Sequence, residues 1–256
     1  MKYRLILFKI GLKKGLASKY ALLFYLVSAL ISLTVQYFLW KAVLAGKPVS
    51  EFKQTFSYLI LMQLLAILFP KTSYDVDDKV RSGDIALDLL KPVTLATQLF
   101  WEGAGYSVAK LLIVGLVDVL IYLWVLDFQV TLIMVVMVAV AAALAYLLYF
   151  ELELLLGLWS FYAYSIWGIS AFKEAILLIL AGNVFPAYFY PQALKTLAAY
   201  LPFQYSFGAV GLLAQHPTVP LFGQIIVIQL LYIALFALLF KLLYQHAVSV
   251  TVIQGG

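Results

Sequence analysis

Cysteine is absent from the 256 residues, and histidine is nearly so. Without cysteine the chain cannot form a disulfide, bind a metal through thiolates or use a thiol nucleophile. The two histidines, His216 and His246, lie near the ends of predicted spans, on predicted opposite sides. We therefore expect no catalytic residue, no metal site and no cofactor-binding residue in this chain, and no enzymatic activity of its own.

Nucleotide-binding and hydrolase motifs are also missing. The sequence has no Gly-x-x-x-x-Gly-Lys-Ser/Thr, no His-Glu-x-x-His and no Gly-x-Ser-x-Gly, so it cannot itself hold ATP in a P-loop. The net charge of +5 does not indicate a nucleic-acid partner, because Lys and Arg commonly flank membrane spans.

Charge is scarce: 11% of residues are charged and 65% are apolar, against about 25% and roughly 45–50% in soluble domains. The apolar excess must face lipid, where backbone groups have to be satisfied internally by helices or a closed barrel. The apolar runs are continuous rather than alternating, so helices are favoured. We predict an all-α polytopic membrane protein that forms a single transmembrane domain over residues 1–256.

Six apolar stretches predict six transmembrane helices, since about 20 residues at 1.5 Å each cross about 30 Å of hydrocarbon. We expect an interfacial helical turn from residue 94 before the third span, which Asp127 closes. The predicted spans cover residues 20–40, 56–69, 107–124, 128–150, 169–185 and 221–240.

The first 19 residues hold six Lys or Arg. Leu5, Phe8, Leu12 and Leu16 recur at helical spacing, which predicts an amphipathic interfacial helix over residues 1–19. The alternative is a long cytosolic start to the first span. With this end inside, cytosolic segments carry eleven basic residues and outer segments four, which predicts cytosolic termini.

The segment 71–92 is the most charged in the chain and is predicted to be the main cytosolic loop. Mixed charges suit docking to a soluble partner, although a merely solvated loop is the plainer alternative. The candidate residues are Asp75, Asp77, Asp78, Lys79, Arg81, Asp84 and Asp88.

Ionisable residues at membrane depth are functional candidates by default. Lys110 and Asp118 lie about 80° apart on an ideal helix, either as a functional pair or as separate groups with polar partners. Glu151 and Glu153 could pair with the Lys173-Glu174 dipeptide across a cytosolic turn, or each charge could be solvated separately.

The region 186–220 contains too many prolines for one straight helix, since each interior proline removes a backbone hydrogen bond. We predict short re-entrant helices in the outer leaflet between spans five and six. The residues that mark this region are Gly182, Pro186, Pro191 and Pro202.

Three groups of residues resemble one family. Residues 83–92, Gly-Asp-Ile-Ala-Leu-Asp-Leu-Leu-Lys-Pro, are similar to a "G-x-I-A-x-x-L-L-K/R-P" segment that follows span two. Residues 180–191 and 201–204 resemble the family's outer re-entrant region, and the final Gln254-Gly255-Gly256 agrees. The chain thus resembles ABC-2 type permeases of ATP-binding cassette exporters, in the branch with paired six-span permeases and a separate ATPase. Where that family often has Leu-Ser-Gly and Ile-Pro-Leu, this chain has Leu-Ala-Gly at 180–182 and Phe-Pro-Ala at 185–187.

The resemblance implies an elbow helix at residues 1–19 and a coupling helix within 71–92 that contacts an ABC ATPase dimer. It implies half of an export (efflux) pathway for a hydrophobic or amphipathic cargo such as a lipid, glycolipid, peptide or drug. It also implies a second permease, as a heterodimer or a second copy, ATP and Mg bound by the partner, and a prokaryotic inner-membrane location among membrane lipids.

The residues also allow three alternative functions to be compared with an exporter. A secondary transporter driven by an ion gradient would place coupling charges at the midplane, and Asp118 alone is such a candidate. An intramembrane enzyme would need a nucleophile and a base at matched depth, which the sequence does not supply. A purely structural anchor is the remaining alternative.

Overall fold

The computed structural model describes residues 2–125 and 130–250, with the backbone alone at residue 89 and at 248–250. Within these ranges all regular secondary structure is helical. The helices, in chain order, are α1 (Lys2–Ala17), α2 (Lys19–Val43), α3 (Val49–Leu68), α4 (Thr72–Ser82), α5 (Asp84–Leu89), α6 (Leu95–Lys110), α7 (Leu116–Val125), α8 (Leu132–Gly157), α9 (Trp167–Leu180), α10 (Gln192–Ala199), α11 (Pro202–Ser206), α12 (Gly208–Gln215) and α13 (Val219–Val250).

Within residues 2–125 and 130–250, five helical segments are long and apolar enough to cross a membrane, which confirms a polytopic helical membrane protein. They are Lys19–Val43, Val49–Ser82, Leu95–Val125, Leu132–Phe161 and Val219–Ala247. The fifth predicted span, at residues 169–185, corresponds to α9, which has 14 residues. At 1.5 Å per residue α9 is about 21 Å long, shorter than the hydrocarbon layer.

The third span differs from its prediction. Instead of an interfacial turn followed by a span from residue 107, one helix runs from Leu95 through a π-helical turn at Leu111–Gly115 to Val125. Thr94 caps its start by accepting a hydrogen bond from the Thr97 amide at 3.3 Å. Charged side chains within this helix have partners on other helices: Glu102, for example, pairs with Lys14 of α1. Asp127, expected to close this span, lies outside the described residues.

Helix α1 forms where it was predicted, but a different face is buried. Leu5 and Leu16 remain exposed, whereas Leu7, Gly11 and Gly15 are buried against α6. A Cβ at Gly11 would lie 1.8 Å from the Glu102 carbonyl oxygen, so only glycine permits this approach. Small residues spaced four apart allow close helix contact in membranes, where apolar side chains gain little by packing together.

Helix α3 is the most enclosed of the five long segments. In the most apolar part of each segment, 56% of the α3 residues are buried, against 17% for α2 and 17% for α13. Helices α2, α6, α7, α8 and α12 pack against α3, and one apolar cluster connects α3 with α8, α9, α12 and α13. The outward side chains of α2 and α13 are largely apolar, as expected where a helix faces lipid.

The chain from 181 to 208 leaves this cluster and returns to it. Gly182 ends α9 with a φ of +75°, and its carbonyl accepts a hydrogen bond of 2.7 Å from the Tyr58 hydroxyl. After α10 and α11, the Gly208 amide donates to the Ala181 carbonyl at 2.9 Å. The beginning of α12 therefore meets the end of α9, and both lie against the middle of α3.

Candidate functional site

The charged segment 71–92 is mostly helical. Pro70 lies in the break that separates α3 from α4, because a proline inside a helix would remove a backbone hydrogen bond. Gly83 lies between α4 and α5 with a φ of +79°, a left-handed conformation that glycine adopts without strain. The two short helices therefore form a folded corner rather than an extended loop.

Asp88 holds this corner closed. Its side chain is 4% exposed and forms ion pairs with Lys79 of α4 and with Lys91. The Gln98 side chain donates to the Asp88 carbonyl at 3.2 Å. Burial acts to raise the pKa of Asp88, but the hydrogen bonds from Lys79 and Lys91 outweigh it and hold that pKa below the ordinary aspartate value. Asp88 thus stabilises the corner as a carboxylate.

Arg81 connects α4 to the turn before α9. Its Nε lies 3.0 Å from Asp77, its guanidinium donates to the Tyr164 carbonyl, and it lies 5.4 Å from the centre of the Tyr164 ring. Asp77 is buried, so neither it nor Asp88 is available on the surface. Arg81 and Lys79 already have partners within the chain.

The surface of the corner is formed by three other predicted residues, Asp75, Asp78 and Asp84, which are all exposed. Asp84 accepts a hydrogen bond of 2.9 Å from the Ser82 hydroxyl. Asp75 and Asp78 form no ion pair within residues 2–125 and 130–250. Asp75 and Asp78 are therefore exposed carboxylates that are not engaged in an ion pair within the described residues.

Behind the corner lies a buried polar cluster formed by Ser73, Tyr149, Glu153 and Lys173. Glu153 of α8 is 0% exposed and pairs with Lys173 of α9, which is 4% exposed. Ser73, in the first turn of α4, donates to the other Glu153 oxygen from its amide at 3.1 Å and its hydroxyl at 2.6 Å. The Lys173 amine also lies 3.3 Å from the Tyr149 hydroxyl. One carboxylate thus connects α4, α8 and α9.

The sequence had suggested a contact between Glu153 and Lys173, and the structure contains it. Ser73 was missed, because a serine beside a charged run has no distinctive signal until α8 is packed against α4. Glu151, which is partly exposed, forms no ion pair in the described part of the chain.

Lys110 and Asp118 are both buried but do not meet. Asp118 accepts hydrogen bonds from the Gln63 amide at 3.2 and 3.3 Å. The Lys110 amine lies 3.4 Å from the Phe69 carbonyl. The π-helical turn lies between them and changes their angular separation from the 80° of an ideal α-helix. Each therefore has its own partner, as one of the two sequence interpretations held.

The marker residues of the region 182–202 lie at helix ends. Gly182 follows α9, and Pro186 precedes a short turn at Ala187–Phe189. Pro191 precedes α10, and Pro202 is the first residue of α11. Proline suits the start of a helix because its missing N–H would have no helical partner there.

Within the described residues, no group of three or more His, Asp or Glu side chains could hold a metal ion. The site is built from ion pairs and hydrogen bonds between helices, and these can transmit a displacement of α4 to α8 and α9.

The comparison with protein families decides the class. A family model described as ABC-2 family transporter protein matches residues 51–255. This chain belongs to the ABC-2 transporter family. No match to a curated protein was found.

The family match makes the chain an ABC transporter permease, a transmembrane component of a class that is generally non-catalytic and associates with an ABC ATPase. The matched residues begin within α3 and include α4, α5 and the cluster around Glu153. The residues that match the family model therefore include both the exposed acidic corner and the buried cluster around Glu153.

Proposed function

We propose that this permease forms half of the translocation pathway of an ATP-driven exporter. Its cargo is hydrophobic or amphipathic, and ATP and Mg are bound by a separate ATPase dimer. A second permease, either a related chain or another copy, supplies the other half. The protein lies in a prokaryotic inner membrane with both termini in the cytosol.

The observation that carries this proposal is the connection from the acidic corner into the bundle. Asp78 and Asp84 are exposed on α4 and α5, and complementary charge on a partner would fix its orientation there. The first turn of α4 is hydrogen-bonded to Glu153, which pairs with Lys173 of α9. A partner that moves α4 would therefore move α8 and α9 as well.

Six membrane crossings fit the packing of α9 and α12. Helix α9 is too short to cross alone, but α12 begins where α9 ends and continues along α3: Gly208 meets Ala181, and the Gln215 side chain donates to the Gln54 carbonyl at 3.1 Å. We assign the fifth crossing to α9 and α12 together. The segment between them, with α10 and α11, is the outer re-entrant region.

The coupling surface is tested by reversing its charge. The tagged permease is purified in mild detergent from its native cell, and the co-purifying ATPase is quantified by mass spectrometry. We expect Asp78→Lys combined with Asp84→Lys to reduce the recovered ATPase at least several-fold, because these charges face the partner. Membrane insertion and yield should be unchanged.

The matched control is Lys195→Glu, which reverses an exposed charge on α10, in the proposed outer region. It should leave ATPase recovery at the wild-type level. Equal recovery with the double variant and with wild type would refute the assignment of this surface. Complete absence of an ATPase from wild-type preparations would instead favour an ion-driven transporter.

A further inference from the structure

A cavity of about 990 Å³ lies among α1, α2, α3, α4 and α6. It is separate from the cluster around Glu153, and Asp75 and Asp78 of the acidic corner form part of its lining. Its uncharged polar lining consists of Tyr25, Ser28, Ser32, Gln63 and Ser107. The side-chain carbonyl oxygen of Gln63 is buried and forms no hydrogen bond within the described residues. Acyl chains alone would leave this oxygen without a partner, which is unfavourable away from water. The lining therefore suits a polar ligand.

Lys110 is the buried cation of this cavity. Its side chain is 7% exposed, and it forms no ion pair with any residue of 2–125 or 130–250. The Tyr25 and Tyr106 rings lie 6.0 and 5.6 Å from its amine and stabilise the charge in part. A buried cation without a counter-ion is unfavourable, so an anionic group of a ligand would complete the site.

The other charged residues of the lining indicate the net charge of the ligand. Lys14 pairs with Glu102, and Lys79 pairs with Asp88. The charged lining residues that remain are Lys71, Lys110, Asp75 and Asp78. Two cations and two anions balance, which favours a zwitterion over a ligand of net negative charge.

The two signs lie at different levels of the cavity. Lys110 contacts the Phe69 carbonyl and Ser107 donates to the Leu68 carbonyl at 2.6 Å, so both lie beside the end of α3. Asp75 lies one turn into α4, beyond that end. In an inner-leaflet phospholipid the phosphate lies deeper than the group attached to it. The order of charges in the cavity therefore matches a phosphate near Lys110 and an amine near Asp75.

We propose that this cavity binds the headgroup of an amine-bearing, zwitterionic phospholipid such as phosphatidylethanolamine. Lys110 binds the phosphate, and Asp75 accepts hydrogen bonds from the ammonium group. Phosphatidylcholine fits less well because its methylated nitrogen has no N–H to donate. The binding requires neither an ATPase nor a direction of transport, so it can hold whether or not the exporter assignment does.

Native mass spectrometry of the full chain in mild detergent tests the proposal. The chain is titrated with phosphatidylethanolamine, phosphatidylcholine and phosphatidylglycerol of identical acyl chains, and separately with inorganic phosphate. We expect one phosphatidylethanolamine to bind more tightly than either other lipid. Lys110→Met should weaken its binding about tenfold, as the loss of a charge-assisted hydrogen bond does. Lys110→Arg should retain it.

Two further variants keep the result interpretable if Lys110→Met folds poorly. Asp75→Asn should lower affinity for phosphatidylethanolamine to that for phosphatidylcholine, and Ser28→Phe should weaken the binding of both lipids, because its ring would occupy part of the cavity. The control Lys195→Met removes a lysine far from the cavity and should bind like wild type.

Several outcomes would overturn the proposal. If Lys110→Met bound phosphatidylethanolamine with wild-type affinity, Lys110 would not be part of the binding site. If all three lipids bound equally, the lipid amine and Asp75 would not take part in recognition. If inorganic phosphate displaced the lipid from the wild-type chain but did not bind to Lys110→Met, that result would identify a free anion as the ligand.

Discussion

Glu153 of α8 and Lys173 of α9 form an ion pair within the bundle, and neither side chain reaches the surface. Breaking such a pair on one side leaves an uncompensated buried charge, whereas replacing both members can be nearly neutral. Since Ser73 also binds Glu153, the pair holds α4 in register with two other helices.

We predict that Lys173→Met destabilises the permease by about 3–5 kcal/mol. The double variant Glu153→Gln with Lys173→Met should recover most of this loss, because no charge then remains buried. Thermal unfolding of the purified chain measures both. Glu174→Gln is the control: Glu174 also lies 3.1 Å from the Lys173 amine but is 57% exposed, so water weakens this second ion pair and its loss should change little. Additive losses in the double variant would contradict the account.

The corner between α4 and α5 should open in acid. The folded-state pKa of Asp88 lies below its ordinary value, so its contribution to stability is complete above the unfolded pKa of about 4. That contribution is lost as pH falls through the lower folded value. Cleavage by pepsin within residues 83–94 should therefore rise as pH falls below about 4.

In Asp88→Asn the corner should be cleaved faster than in wild type across the whole acidic range. Its cleavage rate should not show the wild-type increase below about pH 4. Asp84→Asn, which changes an exposed carboxylate, should behave like wild type. If Asp88→Asn and wild type gave the same pH profile, Asp88 would not hold the corner.

The contact between α1 and α6 should depend on glycine. An ideal Cβ at Gly15 lies 2.5 Å from the Ala109 Cβ, and a small outward shift reaches the roughly 3.5–4.5 Å of a disulfide. In this cysteine-free chain, Gly15→Cys with Ala109→Cys should cross-link on oxidation. Adding Gly11→Leu should abolish the cross-link, because the new side chain would collide with the Glu102 carbonyl. The control Gly168→Leu, at a position with open space, should leave the cross-link intact. If the cross-link also survived Gly11→Leu, α1 would pack differently from the structure.

Asp118 should tolerate loss of its charge. Its hydrogen bonds come from Gln63, and an asparagine amide can still pair with that side chain. Asp118→Asn should therefore unfold within about 1 kcal/mol of wild type, whereas Gln63→Leu should cost about 1–3 kcal/mol by leaving a buried carboxylate without a donor. Chemical denaturation compares the two. A large loss in Asp118→Asn with none in Gln63→Leu would reverse the roles assigned here.

The long spans could be predicted from sequence because an uncharged run of 20 or more residues has one stable solution in lipid. That argument located the helices that became α2, α8 and α13. It failed for the start of the third span, where Glu102 lies inside the helix that begins at Leu95 rather than in an interfacial turn. Its partner Lys14 lies 88 positions away, and only packing reveals that pair.

Helix packing was harder to predict than helix location. In water the buried face of a helix is its apolar face, and this rule selected Leu5 and Leu16 in α1. In lipid both faces can be apolar, so close approach is decided by small residues such as Gly11 and Gly15. The π-helical turn after Lys110 has no residue signal that periodicity can detect. The contact of α9 with α12 depends on backbone groups, which every residue carries.

Purification of the tagged wild-type chain in mild detergent from its native cell tests the central claim most directly, with every stoichiometric partner identified by mass spectrometry. The account predicts an ABC ATPase in stoichiometric amount, together with a second permease or evidence of two copies of this chain. Recovery of the chain with no ATPase, in conditions that preserve other membrane complexes, would contradict it.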